Sequence, residues 1–365
     1  MAIGIPDLFD SGSAPGLTPR VKLEKGAGGA GGLGGALGSF GGDLLAAAAG
    51  ALGVAQPDPL TDALSSLAID LVAAPGLATC RLRFLPRSDF PALALGDAIT
   101  VKLGTGADPV AVFAGNVAKV SAHAGALEVM LAAPAAKLAR IRRNAGYESQ
   151  SFRDLLSTWA DEAGLEGSEI DAGPDYAFFA IDDRLSLWDW IARLARHADL
   201  PAWTDAQGRL NARKPAGAPV ASFKYGETVL SLRSHARDPV TTGARIVGEG
   251  SAGRQGSDAW SWLAKDAQGV SAGAGGAMPG AVEQDGALRD LASVAAAALG
   301  ASAGAARIAD GVEVRVPGTP TIDVASVIAL QDCPGGEGDG SWRATQVRHT
   351  FSSAGFVTEV RAVTA

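Results

Sequence analysis

The sequence is poor in the residues that build redox, metal and aromatic-lined sites. Its 365 residues include two cysteines, and aromatic residues make up 6%. Two cysteines as distant as Cys80 and Cys333 form neither a disulfide framework nor a four-cysteine zinc site. Neither has a neighbouring histidine to lower its thiol pKa, which argues against a nucleophilic cysteine. The four histidines show no HxH or HExxH spacing, so zinc has no local ligands; they are His123, His197, His235 and His349.

Excess positive charge and long apolar runs are also missing. Thirty-one Lys and Arg face 39 Asp and Glu, which gives a net charge of −8. A surface that displaces counterions from nucleic-acid phosphates needs the opposite balance, so no specific nucleic-acid binding is expected. No window reaches about 18 consecutive apolar residues, which predicts no membrane span. Residues 1–20 lack the basic and apolar regions of a signal peptide, so synthesis in a cytoplasm is expected.

Glycine, in contrast, is abundant, and much of it lies in one low-complexity stretch. Gly and Ala fill 21 of the 31 positions of residues 26–56, where Asp43 is the only charged residue. Gly26, Gly28 and Gly31 satisfy GxGxxG, but a dinucleotide site needs a buried strand before the glycines and a helix directly after them. Residues 21–25 (VKLEK) are half polar, and no helix can start before Gly42. The stretch is therefore predicted to be an insertion, with no cofactor site.

Two blocks of alternating apolar and polar residues predict antiparallel β-structure. The first runs from Leu77 to Ala133 and the second from Val220 to the C-terminal end, each punctuated by Gly or Pro turns. Such closely spaced strands suit a barrel or sandwich. Residues 251–309 interrupt the second block with glycine-rich sequence, the pair Trp260 and Trp262, and an alanine-rich helix near residues 287–303.

Between these blocks the period changes to that of amphipathic helices. Ser151 with Asp154 and Ser186 with Asp189 each form a capping box, in which side chains bind the free N–H groups of a helix start. Apolar residues at helical spacing follow each box. A strand is predicted at residues 176–181 and a hairpin turn at Gln207 and Gly208. This block is predicted to be a small α/β domain.

The two β blocks echo each other. In the first, a strand at 98–104, a long strand at 112–125 and a return strand at 126–132 follow in order; the second repeats this at 326–332, 340–355 and 356–362. The expected fold class is thus α+β, mainly β, with two similar antiparallel β-barrels flanking the small domain. The predicted domains are residues 1–145 (first barrel, with the insertion at 26–56), 146–217 (α/β domain) and 218–365 (second barrel, with a helical insertion at 251–309).

No catalytic, cofactor-binding or metal-binding residue is predicted. The acid pairs Asp161–Glu162 and Asp182–Asp183 fit solvated surface or capping better than glycosidase chemistry, which needs two carboxylates across a cleft. There is no GxSxG and no phosphate-binding lysine motif. His197 near a helix end fits a structural role, and Trp159 and Trp190 lie on predicted buried stripes.

Four segments, taken in order, resemble the late control protein D family of phage tail hub proteins. Two of them belong to the small domain, one to each barrel, and together they place the resemblance at residues 65–250 and 310–365. They are GDAITVKLG with FAGNVAKVSAH, YESQSFRDLLSTWADEAGL, SLWDWIARLARHADLPAWTDAQGRL, and GSWRATQVRHTFSSAGFVTEVRA.

The resemblance implies a structural hub of a phage tail baseplate or a phage-derived contractile injection particle, and not an enzyme. In that family three chains, each with two barrels, form a ring that adapts a six-fold tube to a three-fold spike. The implied partners are two further copies of the chain, the tail tube protein, baseplate wedge proteins and the tape measure protein. A separate central spike protein is also expected, because no OB-fold or β-helix follows the second barrel before Ala365.

Two rival functions stay open at this point. A tail-tip cell-wall hydrolase would use an acid such as Asp182, and a surface-glycan-binding module would use Trp260 and Trp262, since aromatic side chains are enriched in binding hot spots.

Overall fold

A computed structural model describes residues 19–26, 58–105, 108–236, 243–248, 271–275, 281–308 and 310–365. Within these residues β-structure dominates, in agreement with the predicted mainly-β α+β class. The strands of the first half are β1 Arg20–Lys25, β2 Leu64–Val72, β3 Thr79–Phe84, β4 Ala98–Gly104, β5 Val110–His123 and β6 Ala126–Ala132. Those of the middle are β7 Ala145–Ser151, β8 Glu169–Ile170, β9 Asp175–Ile181, β10 Ala202–Thr204 and β11 Leu210–Ala212.

The remaining strands are β12 Ala221–Lys224, β13 Ser231–Ala236, β14 Ala244–Gly248, β15 Ser271–Ala274, β16 Ala281–Asp285, β17 Asp310–Pro317, β18 Val327–Gln331, β19 Gly340–Ser352 and β20 Gly355–Thr364. Five α-helices accompany them in the described part of the chain: α1 Pro59–Asp62, α2 Ala135–Leu138, α3 Phe152–Glu162, α4 Leu187–His197 and α5 Leu291–Ile308.

Twelve strands join in one large, mostly antiparallel sheet that contains two sets of six. The first set pairs in the order β1-β4-β5-β6-β3-β2, and the second in the order β12-β18-β19-β20-β17-β13. These orders correspond strand for strand, and each follows from the same succession of strands along the chain. The one difference in direction is that β1 is antiparallel to β4, whereas β12 is parallel to β18. The strand order therefore repeats within the chain.

The correspondence extends to single residues, because the long hairpin of each set carries one β-bulge. In β5 the bulge lies between Val117 and Lys119, and in β19 between Ala344 and Gln346. Aligning the bulges matches Lys119 with Gln346 and Glu128 with Glu359. Since bulges are specific features that set the local bend and register of a strand, their shared position supports a common plan for the two sets.

Alternation of apolar and polar residues explains the strands. In β3 the side chains of Cys80, Leu82 and Phe84 are fully buried while Arg81 and Arg83 are exposed, as the period of two requires. The core formed by these strands is continuous through both sets. Among the described residues no pairing joins the two ends of either set, so the closed barrels expected from the sequence are not seen in the strand pairing.

The middle of the chain folds as predicted around two capped helices. Both capping boxes are present: the Ser151 and Ser186 hydroxyls accept the backbone N–H groups of Asp154 and Asp189, whose carboxylates reach back to the serine N–H groups. The hairpin turn is also present, with Gly208 at φ +81°, where glycine avoids the strain of a side chain.

The segment that carries β14 to β16 and α5 packs with these helices. The structure pairs β14 with β15 and β16 and not with the large sheet, whereas the sequence suggested that residues 242–250 continue the second strand set. Ile246, Leu288 and Val294 are buried in the same core as α3 and α4. Helix α5 lies so close to α4 that a side chain on Gly300 would collide with the carbonyl oxygen of His197.

Helix α5 is also the one described helix that is long and apolar enough, by length and composition, to cross a membrane. Its residues Val294, Ala297 and Ala298 are fully buried against the protein.

Candidate functional site

The described residues bring together no group of three or more His, Cys, Asp or Glu side chains that could hold a metal ion. His123 is exposed and lies 3.7 Å from Glu128, and His235 is on the exposed strand β13. The thiols are buried, and burial raises the pKa of Cys80 well above its usual value and that of Cys333 to about 11. Both cysteines therefore stay as unreactive thiols.

The acid pairs and tryptophans of the sequence have structural contacts. The Asp182 carboxylate accepts hydrogen bonds from the Arg184 guanidinium, which lowers the pKa of Asp182. Glu162 pairs with Arg143 at 2.7 Å. Trp159 and Trp190 are buried, as predicted. Trp260 and Trp262 lie outside the described residues, as does all of the Gly/Ala stretch 26–56 except Gly26.

A cleft of about 610 Å³ lies between α4, α5 and β19. Its acids have other contacts, because Asp189 caps α4 and Asp199 pairs with Arg307. Its remaining walls are small and aliphatic residues together with the arginines Arg193, Arg196 and Arg343. The cleft therefore presents no pair of acid and base groups for general acid–base catalysis.

The most distinctive contact in the molecule is the seam where β2 of the first set pairs with β19 of the second. The two strands are antiparallel over six residue pairs, from Val72–Gln346 to Leu67–Phe351. On the core side, Leu71 faces Val347 and Ile69 faces His349, and these side chains are buried. Apolar burial thus holds the two strand sets together.

An ion pair fixes the outer face of the seam. The Arg348 Nε atom lies 2.6 Å from Asp70 Oδ1, and this hydrogen bond raises the pKa of Arg348. Arg81 approaches the other Asp70 oxygen at 4.0 Å. Because Asp70 and Arg348 are directly opposite each other in the ladder, this pair is specific to one register.

A buried histidine network supports the seam from inside. His349 is fully buried; its Nδ1 lies 3.0 Å from Thr358 Oγ1 and its Nε2 lies 3.2 Å from the Ile322 carbonyl oxygen. The carbonyl can only accept, so Nε2 carries the proton and donates, and Nδ1 accepts from the threonine hydroxyl. Thr358 Oγ1 in turn accepts the Thr319 N–H at 2.9 Å. Burial lowers the pKa of His349 to about 4, which keeps the ring neutral.

Residues 145–212, which carry α3, α4 and strands β7 to β11 and are called the middle unit below, are attached to both strand sets beside the seam. Trp188 donates through Nε1 to the carbonyl oxygen of Gly76, just beyond β2, at 3.0 Å. Trp203 donates to Asp323 of the second set at 3.3 Å. Desolvation raises the pKa of Asp323 to about 6, so this contact includes a carboxylate that titrates near neutral pH.

Several strand edges have no strand partner among the described residues, and two of them, on β5 and β13, lie at positions that correspond to the two sides of the seam. Strand β4 covers one edge of β5 only as far as Asn116, and beyond it Lys119, Val120 and His123 are exposed. Strand β13 pairs with β17 alone, and its side chains are almost all exposed. An unpaired edge presents free N–H and C=O groups that can bind another strand.

Sequence reasoning missed strand β2, although it forms the seam. The period-two signal was present in Leu67, Ile69 and Leu71, which are buried in alternation.

Comparisons with known proteins place this fold among phage tail proteins. The model of one protein family, described as the Alg8 N-terminal domain, matches residues 83–242, less than half of the chain. A search of curated proteins finds no match.

Three solved structures resemble this chain in fold. The 43 kDa tail protein of prophage MuSo2 from Shewanella oneidensis has a TM-score of 0.65 and 13% identity over 95% of this chain and 98% of that chain. The tail protein from Neisseria meningitidis MC58 has a TM-score of 0.63 and 13% identity over 82% and 92% of the two chains. An Escherichia coli component of the type VI secretion system, described as similar to bacteriophage T4 tail proteins, has a TM-score of 0.52 and 12% identity over 83% and 73%. The resemblance inferred from the sequence is thus confirmed at the level of the fold: over most of its length, the chain folds like phage tail proteins.

Proposed function

We propose that this protein is a structural hub subunit of a phage tail baseplate or of a phage-derived contractile injection particle, and that it acts without catalysis. The observation that carries the proposal is the repeated strand order of the large sheet, β1-β4-β5-β6-β3-β2 and β12-β18-β19-β20-β17-β13. A chain with two equivalent strand sets presents two equivalent surfaces. Three such chains in a ring present six, which suits a junction between a six-fold tube and a three-fold spike.

In this function each strand set acts as one barrel-like unit, and the middle unit braces the pair. The seam holds the two sets of one chain in a fixed relation through burial of Ile69 and Val347 and through the Asp70–Arg348 pair. The partners proposed are two further copies of the chain, the tail tube protein, a separate spike protein, wedge proteins and the tape measure protein. The net charge of −8 is compatible with a channel that DNA passes without adhering. The proposed location is the tail baseplate of the particle.

The test is the mass and symmetry of the assembled protein. The purified chain should have three times the chain mass by light scattering, and its complexes with the tube and spike proteins of the same particle should contain three copies of the chain. Class averages from negative-stain microscopy should show a ring with six similar lobes. A chain that stays monomeric with both proteins present would contradict the proposal. Peptidoglycan cleavage that is lost in Asp182→Asn would instead favour the tail-tip hydrolase.

A further inference from the structure

Because the strand order occurs twice in the chain, a contact like the seam between β2 and β19 could form at two places. A single chain forms it at one of them. In strand order β2 corresponds to β13, and β19 corresponds to β5. Strand β2 of the first set lies on β19 of the second. The strands that correspond to them are β13 and β5. Among the described residues, β13 has no strand partner on the edge away from β17, and the end of β5 has none on the edge away from β6.

The free part of β5 corresponds to the part of β19 that β2 occupies. On β19, strand β18 covers the edge up to Arg343, and β2 takes over from Gln346. On β5, strand β4 covers the edge up to Asn116, and the uncovered part includes Lys119. The aligned bulges match Asn116 with Arg343, so the boundary between covered and uncovered edge falls at the same place in both strands.

Matched residues of β19 and β5 differ in burial, as expected if β5 lacks the neighbouring strand that β19 has. Val347 is 0% exposed because β2 lies beside it, whereas its counterpart Val120 is 36% exposed. Both are valines and both pair with a buried valine on the return strand, Val360 or Val129. Val120 is thus an apolar residue in a position that becomes buried once a strand covers the edge.

We infer that β13 of one copy pairs with residues 119–123 of β5 in a second copy, antiparallel and in the register of the β2–β19 seam. Transferring that register through the matched residues places Ser121 opposite His235 of the second copy, where Arg348 faces Asp70 in the seam. Val120 lies opposite Ala236 and His123 opposite Arg233. The inference rests on the proposed function, and it specifies which edges join the ring.

The contact is head-to-tail, because each copy offers β13 on one side and β5 on the other. Such contacts close into a ring when the rotation between copies is a fraction of a full turn. In a ring built this way the contacts between strand sets alternate, one within a chain and the next between chains, and all have one geometry. A local carboxylate offsets the positive charge of the β13 edge, since Glu313 is opposite Arg233 on β17. Glu128 lies 3.7 Å from His123 beside the β5 edge.

Cysteine cross-linking tests the register. Residues directly opposite on antiparallel strands have Cα atoms about 4.5–5.5 Å apart, a separation that a disulfide can bridge. Full-length Ser121→Cys and His235→Cys variants, mixed and oxidised, should give a covalent dimer of chains that neither variant gives alone. Ser121→Cys mixed with Arg233→Cys is the matched control, because it displaces one cysteine by two residues, about 7 Å along the strand. The native cysteines are buried and remain in place.

A pair of valine variants tests the need for this edge. Val120→Asp should reduce the trimer at least tenfold at a fixed protein concentration, whereas Val110→Asp should not. Both valines are exposed residues of β5, but Val110 lies in the part already paired with β4. Equal thermal unfolding of the two variants, measured after dilution to a concentration at which both are monomeric, excludes a folding defect.

The possible results separate this inference from the proposed function. If Val120→Asp forms the trimer normally, and the Ser121→Cys and His235→Cys variants give no register-specific cross-link, the strand pairing is overturned and the hub function still stands. A chain that is monomeric in every mixture would overturn both. A cross-link confined to the Ser121 and His235 pair would establish the contact.

Discussion

Replacing Asp323 with asparagine should make the fold more sensitive to mild acid, because two buried groups near the seam titrate with opposite effects. His349 has its pKa lowered from 6.5 to about 4, so the folded state disfavours the charged ring. Asp323 has its pKa raised from 3.8 to about 6, so the folded state disfavours the charged carboxylate. Protonation of His349 therefore destabilises the fold, whereas protonation of Asp323 stabilises it.

The magnitude follows from the two shifts over the range from pH 6.5 to pH 4.5. The unfolded chain protonates histidine increasingly as the pH falls below 6.5, whereas the folded chain protonates His349 little above pH 4.5. The difference amounts to about one and a half pH units at about 1.4 kcal/mol per unit, which gives a loss of about 2 kcal/mol of unfolding free energy. The folded chain protonates Asp323 below about pH 6 while the unfolded chain does not. This difference raises the unfolding free energy by about 2 kcal/mol over the same range. The two contributions nearly cancel, so the wild-type chain should change by less than about 1 kcal/mol from these two groups, whereas Asp323→Asn should lose about 2 kcal/mol.

Urea unfolding at several pH values measures this difference. The Asp323 carboxylate accepts hydrogen bonds from Val324 N–H and Trp203 through its two oxygens, whereas asparagine has one acceptor oxygen. The substitution therefore changes the stability at every pH, so the slope of unfolding free energy against pH is the readout. The control is His349→Gln, which removes the histidine titration and should make the fold more stable as pH falls from 6.5 to 4.5. Parallel pH profiles of the wild type and Asp323→Asn would refute the reasoning.

Three further substitutions test the packing and capping. Ile69→Ala in the seam should cost about 2–5 kcal/mol of unfolding free energy in urea, because the side chain is fully buried; Val110→Ala on the same sheet should cost under about 1 kcal/mol because that valine is half exposed. Ser151→Ala and Ser186→Ala should each cost about 1 kcal/mol, and the double variant should show their sum, since each serine caps a different helix. Gly300→Val should lower the melting temperature by several degrees, because the new side chain meets the backbone of α4, and an unchanged melting temperature would show that α5 does not lie against α4.

The helices of the middle unit were predictable because their signals are local. A serine followed by an acid three residues later, with apolar residues at helical spacing behind it, depends on nothing outside the segment. Ser151, Ser186 and the buried Trp159 and Trp190 are therefore found where the sequence places them. The echo of β4-β5-β6 in β18-β19-β20 was visible for a similar reason, since hairpin neighbours are close in sequence.

Strand β2 was missed because its residues fit two periods at once. Leu67, Ile69 and Leu71 alternate as a strand does, but residues 60, 63, 64, 67, 68 and 71 are all apolar and follow the spacing of a helix. Only the partner β19, nearly 280 residues away, settles the choice. The partners of β14 were equally out of reach, because alternation predicts a strand and not which sheet it joins.

The contrast between the seam and the two free edges follows from when each contact forms. Strand β2 pairs with β19 as the chain folds, and this edge of β2 stays covered afterwards, so the strand can use Leu67, Ile69 and Leu71. At the corresponding positions β13 has Leu232, Ser234 and Ala236, and its outward neighbours include Arg233 and His235. A strand edge that stays exposed until a second copy arrives must resist pairing with unrelated strands, and polar or charged residues provide that resistance. One contact geometry, used once within a chain and once between chains, therefore requires two different sequences. This requirement explains why β2 and β13 occupy the same place in the strand order but differ in their residues, although the long hairpins of the two sets share a bulge.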